Sequence, residues 1–166
     1  MDSIDKFNKL SKAEFISIFG NIFEKTEWIA ERCYESKPYN NLDELVSKMM
    51  KIFENSEKEK HLEILNSHPD LAVEKKLTKD SKNEQKNASL NQCTKEEFIE
   101  FKKLNNEYKK KFNFPFIIAV AGLNKDQVLD NFRIRIKNDI NEEFEEAKKQ
   151  VKKIATIRMD SILKGF

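Results

Sequence analysis

The sequence predicts an all-α protein, a bundle of about seven or eight helices. Three observations carry this. The chain holds only three Gly and three Pro, too few for the turns of an all-β fold but enough for helices joined by short loops. Apolar residues recur at spacings of three and four, the period of one helix face. Ser, Thr and Asn recur just ahead of those stretches, where they cap helix starts.

Taken in order, Ser11-Lys12-Ala13-Glu14 is a capping-box pattern, followed by Phe15, Ile16, Ile18 and Phe19 before Gly20. Asn21 is read as the cap of the next helix, with a stripe of Ile22, Phe23, Trp28, Ile29 and Cys33 that ends before Pro38. Asn41 opens a third with Leu42, Leu45, Val46, Met49, Ile52 and Phe53. Ser56 opens a fourth with His61, Leu62, Ile64 and Leu65. It stops near Ser67, because Pro69 disfavours the α conformation at His68. Leu71 to Lys79 reads as a turn of helix and then a loop, and Ser81 to Ser89 as a short polar helix. Thr94-Lys95-Glu96-Glu97 is another capping box. It starts a long helix with Phe98, Phe101, Leu104, Tyr108 and Phe112 on one face, broken by Pro115. Asn124 starts the next, with Val128, Leu129, Phe132 and Ile136. Asn141 is read as the cap of the last, whose stripe is Phe144, Ala147, Val151, Ile154, Ala155, Arg158 and Ile162. The run Phe116 to Val120 has no partner strand, so it is buried extended chain or a first helical turn, ended by Gly122. Its N–H and C=O groups need partners, and a bound polar ligand is one candidate.

No repeat, linker or boundary interrupts the chain, and 1–166 is expected to be a single domain. Charged residues make up 36% of it, yet the formal net charge is only +2. That balance argues against a nucleic-acid partner, which would call for a basic face. The basic residues are nearly all Lys, with only Arg32, Arg133, Arg135 and Arg158, which makes each Arg more informative. Cys33 and Cys93 stand far apart without metal-ligand spacing, so neither a disulfide framework nor a metal site follows. A reduced, cytoplasmic setting is expected. No apolar run approaches the roughly 20 residues of a membrane span, and no signal-peptide core follows the acidic start Met1-Asp2-Ser3-Ile4-Asp5.

His68 is the first candidate for chemistry. Position alone favours a histidine stabilised by a helix C-terminus, but Pro69 fixes the chain beside it and Asp70 is placed to cap the next helix or orient the imidazole. Histidine exchanges protons near neutrality. His61, among Lys and Glu in mid-helix, reads as a solvated contrast. Ser81-x-x-Glu84 also fits a capping box, whereas Gln85 is not needed by one. A Glu-Gln pair suits a ligand bearing both N–H and C=O groups. Arg158 sits in an apolar stripe, where an internal salt bridge is the default and a carboxylate clamp the alternative. The Phe residues are assigned to core, and the Lys-rich stretches 108–111 and 148–153 to solvated faces.

These stretches together resemble one family. The residues that carry the resemblance are His68-Pro69-Asp70-Leu71-Ala72, Leu77-Thr78, Ser81-x-x-Glu84-Gln85, the stretch from Phe98 through Leu104-Asn105-x-x-Tyr108-x-x-Lys111-Phe112-x-Phe114-Pro115-Phe116-Ile117-Ile118-Ala119-Val120, and Ile154-Ala155-x-x-Arg158. They look like the 2-oxo-4-hydroxy-4-carboxy-5-ureidoimidazoline (OHCU) decarboxylases of urate breakdown, over roughly the whole chain. The resemblance implies an all-helical homodimeric enzyme of purine catabolism that needs no cofactor and no metal. It implies His68 as the catalytic histidine; His68 is read as the proton donor and Glu84 as a second catalytic residue, which orients or partners His68 or accepts a ureido N–H. Pro69, Ser81, Lys82, Asn83, Glu84, Gln85, Phe116, Ile117, Ile118, Ala119, Val120 and Arg158 fall at substrate-contacting positions. Three residues depart from the family pattern: Val73 and Asn113 where Gly is usual, and Ala121 where many members carry a basic residue. The implied reaction converts OHCU to (S)-allantoin and CO2. The rival reading is an inactive helical interaction module of the same fold; a Lys-rich nucleic-acid binder is the weakest.

Overall fold

The computed structural model describes residues 3–72 and 77–166. Among them are nine α-helices and no strand: α1 Ser3–Lys9, α2 Lys12–Phe19, α3 Glu27–Glu35, α4 Leu42–Glu54, α5 Lys58–Ser67, α6 Lys79–Asn87, α7 Lys95–Phe112, α8 Lys125–Arg135 and α9 Ile140–Lys164. The chain forms two compact units, residues 1–67 with 152–166, and residues 68–151.

In the first unit, Phe7, Phe15, Phe19, Phe23, Ile29, Leu45, Met49 and Phe53 are buried, and the Phe23 and Phe53 rings stack at 5.0 Å. Ser11 and Glu14 make both halves of the expected capping box of α2, and Asn41 caps α4. The additional helix, α1, buries only Ile4 and Phe7, a stripe too short to announce itself. Tertiary bonds dock it: Asn8 Nδ2 donates to the Tyr39 carbonyl at 2.7 Å, and Lys37 Nζ donates to the carbonyls of Asn8 at 3.0 Å and Leu10 at 2.7 Å. Asn21 does not cap α3. Thr26 stands at that position, while Asn21 accepts from the Lys25 N–H in the preceding turn, and Ile22 and Phe23 are buried there outside any helix. His61 is not solvated either. It is buried, its Nε2 lies 2.7 Å from the Phe53 carbonyl, and its ring packs on Phe53.

In the second unit Phe101, Tyr108, Phe112, Phe114, Phe116 and Phe132 pack together, with Phe116 and Phe132 stacked at 3.9 Å. Thr94 makes the expected capping box, and Asn124, expected only to start α8, makes one as well. Two starts differ from expectation. Thr78, not Ser81, caps α6 and accepts the Ser81 N–H. Asp139, not Asn141, accepts the Glu142 N–H at the head of α9. The stretch 108–111 is not simply a solvated face: Lys109 pairs with Asp70, and Lys111 Nζ donates to the carbonyls of Ile136 and Asn138. Phe116 to Val120 lies in no helix and no strand among the described residues, so the reading as a first helical turn falls.

Candidate active site

The His68–Ala72 loop begins the second unit. Pro69 cannot continue α5, so the chain leaves the helix there. His68, Asp70, Leu71 and Ala72 are buried, His68 at 8% exposure. Ala72 sits at φ +52°, in the left-handed region that an L residue avoids. Side chains from elsewhere hold this loop. Gln85 accepts the Ala72 N–H at 3.0 Å and donates to the Asp70 carbonyl at 3.3 Å. Asn105 Nδ2 donates to the Leu71 carbonyl at 3.0 Å, and Lys109 Nζ meets Asp70 Oδ2 at 2.7 Å. The Asp70 carboxylate therefore faces Lys109, where the sequence had suggested a cap or an imidazole partner.

Because α6 starts at Thr78, Ser81, Glu84 and Gln85 lie inside the helix at spacings of three and four and share a face. Ser81 and Gln85 are buried and Glu84 is half-buried, while Lys82 and Asn83 are exposed on the other side. The capping-box explanation for Ser81 and Glu84 thus falls away. Gln85 holds the 68–72 loop through both ends of its amide.

The 116–120 segment is anchored at alternate residues. Arg135 Nη1 donates to the Ile117 carbonyl at 2.6 Å, and the Ala119 N–H donates to Gln150 Oε1 at 2.9 Å. The N–H and C=O of Ile118 make no hydrogen bond among the described residues. Arg135 forms a two-pronged pair with Glu143, at 3.0 and 2.9 Å, and its guanidinium lies 4.5 Å over the Phe116 ring. Tyr108 donates to the same carboxylate. Burial and the adjacent anion push the Tyr108 hydroxyl pKa far up, so it stays a donor. The sequence assigns no site role to Arg135, Glu143, Tyr108, Asn105 or Lys109, although Asn105 and Tyr108 stand among the residues that carry the resemblance. Arg135 had a signal, being one of only four Arg in a Lys-rich chain.

Arg158, in the first unit, is buried and paired. Its Nη2 donates to Glu24 Oε2 at 2.7 Å and its Nη1 to the Asn21 carbonyl at 2.8 Å. Ala121 is exposed, Asn113 takes up φ +63°, and Val73 lies outside the described residues. Among the described residues, no three His, Cys, Asp or Glu side chains converge as a metal set would.

The family model described as OHCU decarboxylase matches residues 8–160. The chain belongs to the OHCU decarboxylase family. Among relatives of this family, a uric acid degradation bifunctional protein from Bacillus sp. (strain TB-90) is 37% identical over 99% of this chain, which spans only 33% of that protein. An OHCU decarboxylase from Haloferax volcanii is 34% identical, with 95% of this chain and 94% of that one aligned. A crystal structure of (S)-allantoin synthase superposes at TM-score 0.78 and 28% identity, over 98% of this chain and 54% of that one. An OHCU decarboxylase crystallised in the presence of (S)-allantoin superposes at 0.74 and 24% identity over 89% of this chain and 98% of that one, a likeness of fold. The conformation of Asn113 accounts for one departure from the OHCU decarboxylase pattern, since Asn is the residue after Gly that best tolerates that region.

Proposed function

We propose that this chain decarboxylates OHCU to (S)-allantoin and CO2 in urate degradation, with His68 delivering the proton to C5. The observation that carries the reading is the His68–Ala72 loop, buried and held by side chains from two other helices in a chain of this family. The substrate carries its own electron sink, an imine carbon, C5, next to the carboxylated C4, so the chemistry needs no cofactor. As the bond from C4 to the carboxylate breaks, its electron pair forms C4=C5. The imine nitrogen takes the charge and a proton. Protonation of C5 by His68, as the C4 hydroxyl gives up its proton, leaves the C4 carbonyl of the product. Donation to one face of C5 gives one enantiomer. Glu84 orients His68 or accepts a ureido N–H. The other substrate contacts are assigned to Pro69, to residues 81–85 and to the backbone of 116–120, where the Ile118 N–H and C=O are available to ureido and ring amide groups. Arg158 is assigned a substrate anion or carbonyl. Residues 1–166 act as one domain, as a cytoplasmic homodimer; among the described residues, no helix is long and apolar enough to cross a membrane.

The test is His68→Ala. The variant is expected to keep its helical circular dichroism and to lose the optical activity that develops when freshly generated OHCU is added. A parental rate of (S)-allantoin formation would remove His68 as the acid. Sedimentation at micromolar concentration tests the dimer.

A further inference from the structure

The loop that carries His68 is held from outside at four atoms. Gln85 of α6 takes the Asp70 carbonyl and the Ala72 N–H. The other two grips come from α7, where Asn105 holds the Leu71 carbonyl and Lys109 the Asp70 carboxylate. Asn105 and Lys109 are four residues apart, so they share a helix face. Neither is what helix packing alone would select. Asn105 is 2% exposed among Phe101, Leu104 and Tyr108 of the same helix, and its Oδ1 is buried without a hydrogen-bond partner among the described residues. An apolar residue would fill that position without burying an unsatisfied Oδ1, and the one polar contact it would give up is the bond to the Leu71 carbonyl. The Lys109 side chain is 40% exposed, and a half-exposed ion pair contributes little to stability. What both residues do is fix a loop whose Ala72 stands at φ +52°, a conformation that persists where surrounding groups over-determine it.

We propose that Asn105 and Lys109 are positioning residues for the decarboxylation, holding the 68–72 loop so that the His68 imidazole meets one face of C5. This rests on reading His68 as the proton donor. Neither residue touches substrate. Releasing the loop leaves the binding groups of 116–120 in place but lets the imidazole wander, and proton transfer is sensitive to such displacement. Water then reaches C5 from either face. The loss falls on kcat and on the enantiomeric purity of the allantoin, not on KM.

The experiment compares Lys109→Met, Lys109→Arg, Asn105→Leu and His68→Ala in the whole chain. It uses freshly generated OHCU and reads kcat, KM, product enantiomeric excess and Tm. Lys109→Met is expected to lower kcat about tenfold or more with KM within about twofold, as a displaced catalytic group does. The enantiomeric excess falls with it, and Tm stays near the parent's. Lys109→Arg, which keeps a donor in reach of Asp70, restores most of kcat and the enantiomeric excess. Asn105→Leu shows the same split in whatever fraction folds. Parental kcat and enantiomeric excess in Lys109→Met, with His68→Ala inactive, would overturn the proposal and leave the proton-donor reading standing. So would a loss of activity that merely tracks the unfolded fraction and is not rescued by Arg. Parental activity in His68→Ala would overturn the proton-donor reading, and the positioning role with it.

Discussion

Arg158 shows why a residue's partner matters more than its type. Its guanidinium is 5% exposed and its partner Glu24 is fully buried. Removing one member of such a pair leaves the other charge buried and uncompensated, which costs about 3–5 kcal/mol. Arg158→Met is therefore expected to lower the urea midpoint sharply, and Glu24→Leu added to it to recover much of the loss. A loss of decarboxylation in Arg158→Met is not by itself evidence of substrate contact. Activity has to be compared with the double variant, in which both members of the pair are gone and no uncompensated charge is left buried. If the double variant is folded and fully active, the substrate role assigned to Arg158 fails. His61 makes the same point from the other side. Lys58, Glu59 and Lys60 before it suggested solvent, but the Phe53 carbonyl at 2.7 Å gave the ring a buried partner.

At the scale of one element, α7 carries the most. Its start was legible because a capping box is local: Thr94 Oγ1 accepts the Glu97 N–H and Glu97 answers to the Thr94 N–H. Thr94→Ala is expected to cost about 1 kcal/mol in urea unfolding. Its end is set by Asn113 at φ +63°, a left-handed cap whose N–H bonds the Lys109 carbonyl. Asn113→Ala is expected to cost about 1 kcal/mol, whereas Asn113→Gly should leave stability within about 0.5 kcal/mol, the freer backbone offsetting the relief of strain. Between those ends the helix faces two segments. Asn105 and Lys109 grip the 68–72 loop, and Tyr108 supports the Glu143 carboxylate that in turn holds Arg135 on the Ile117 carbonyl. None of this was readable from the apolar stripe, which ranks positions by face and not by what each polar side chain reaches.

For the molecule as a whole, titration bounds the stable range. Burial pushes the Cys33 thiol from 9.0 up to about 12, and burial also raises the Tyr39 and Tyr108 hydroxyls. Above pH 9 the unfolded chain releases protons that the folded chain keeps, so stability falls as pH rises from there toward 12. On the acid side, the Thr94 N–H and then Lys125 hold Glu97 below its usual 4.5, and Arg133 does so for Glu100. Their contribution is present above pH 4.5 and is lost as pH falls below it. Tm measured from about pH 3 to pH 11 should show a plateau that declines on both sides. Cys33 should resist alkylation at neutral pH until denaturant is added; fast labelling of the native chain would show that its burial is overstated.

By itself the sequence determined the helical class, the caps at Ser11, Asn41, Thr94 and Asn124, and the breaks at Pro69 and Pro115. Each of these is written within a few residues, in periodicity, a cap or a proline. The tertiary structure decided the docking of α1, the burial of His61, the pairing of Arg158 with Glu24 134 residues away, and the grip of Gln85, Asn105 and Lys109 on the histidine loop. A polar side chain's role is settled by the partner it meets once water is excluded, and these partners are remote in the chain. His68 was found by its neighbours in sequence; what holds it in place was found only by its neighbours in space.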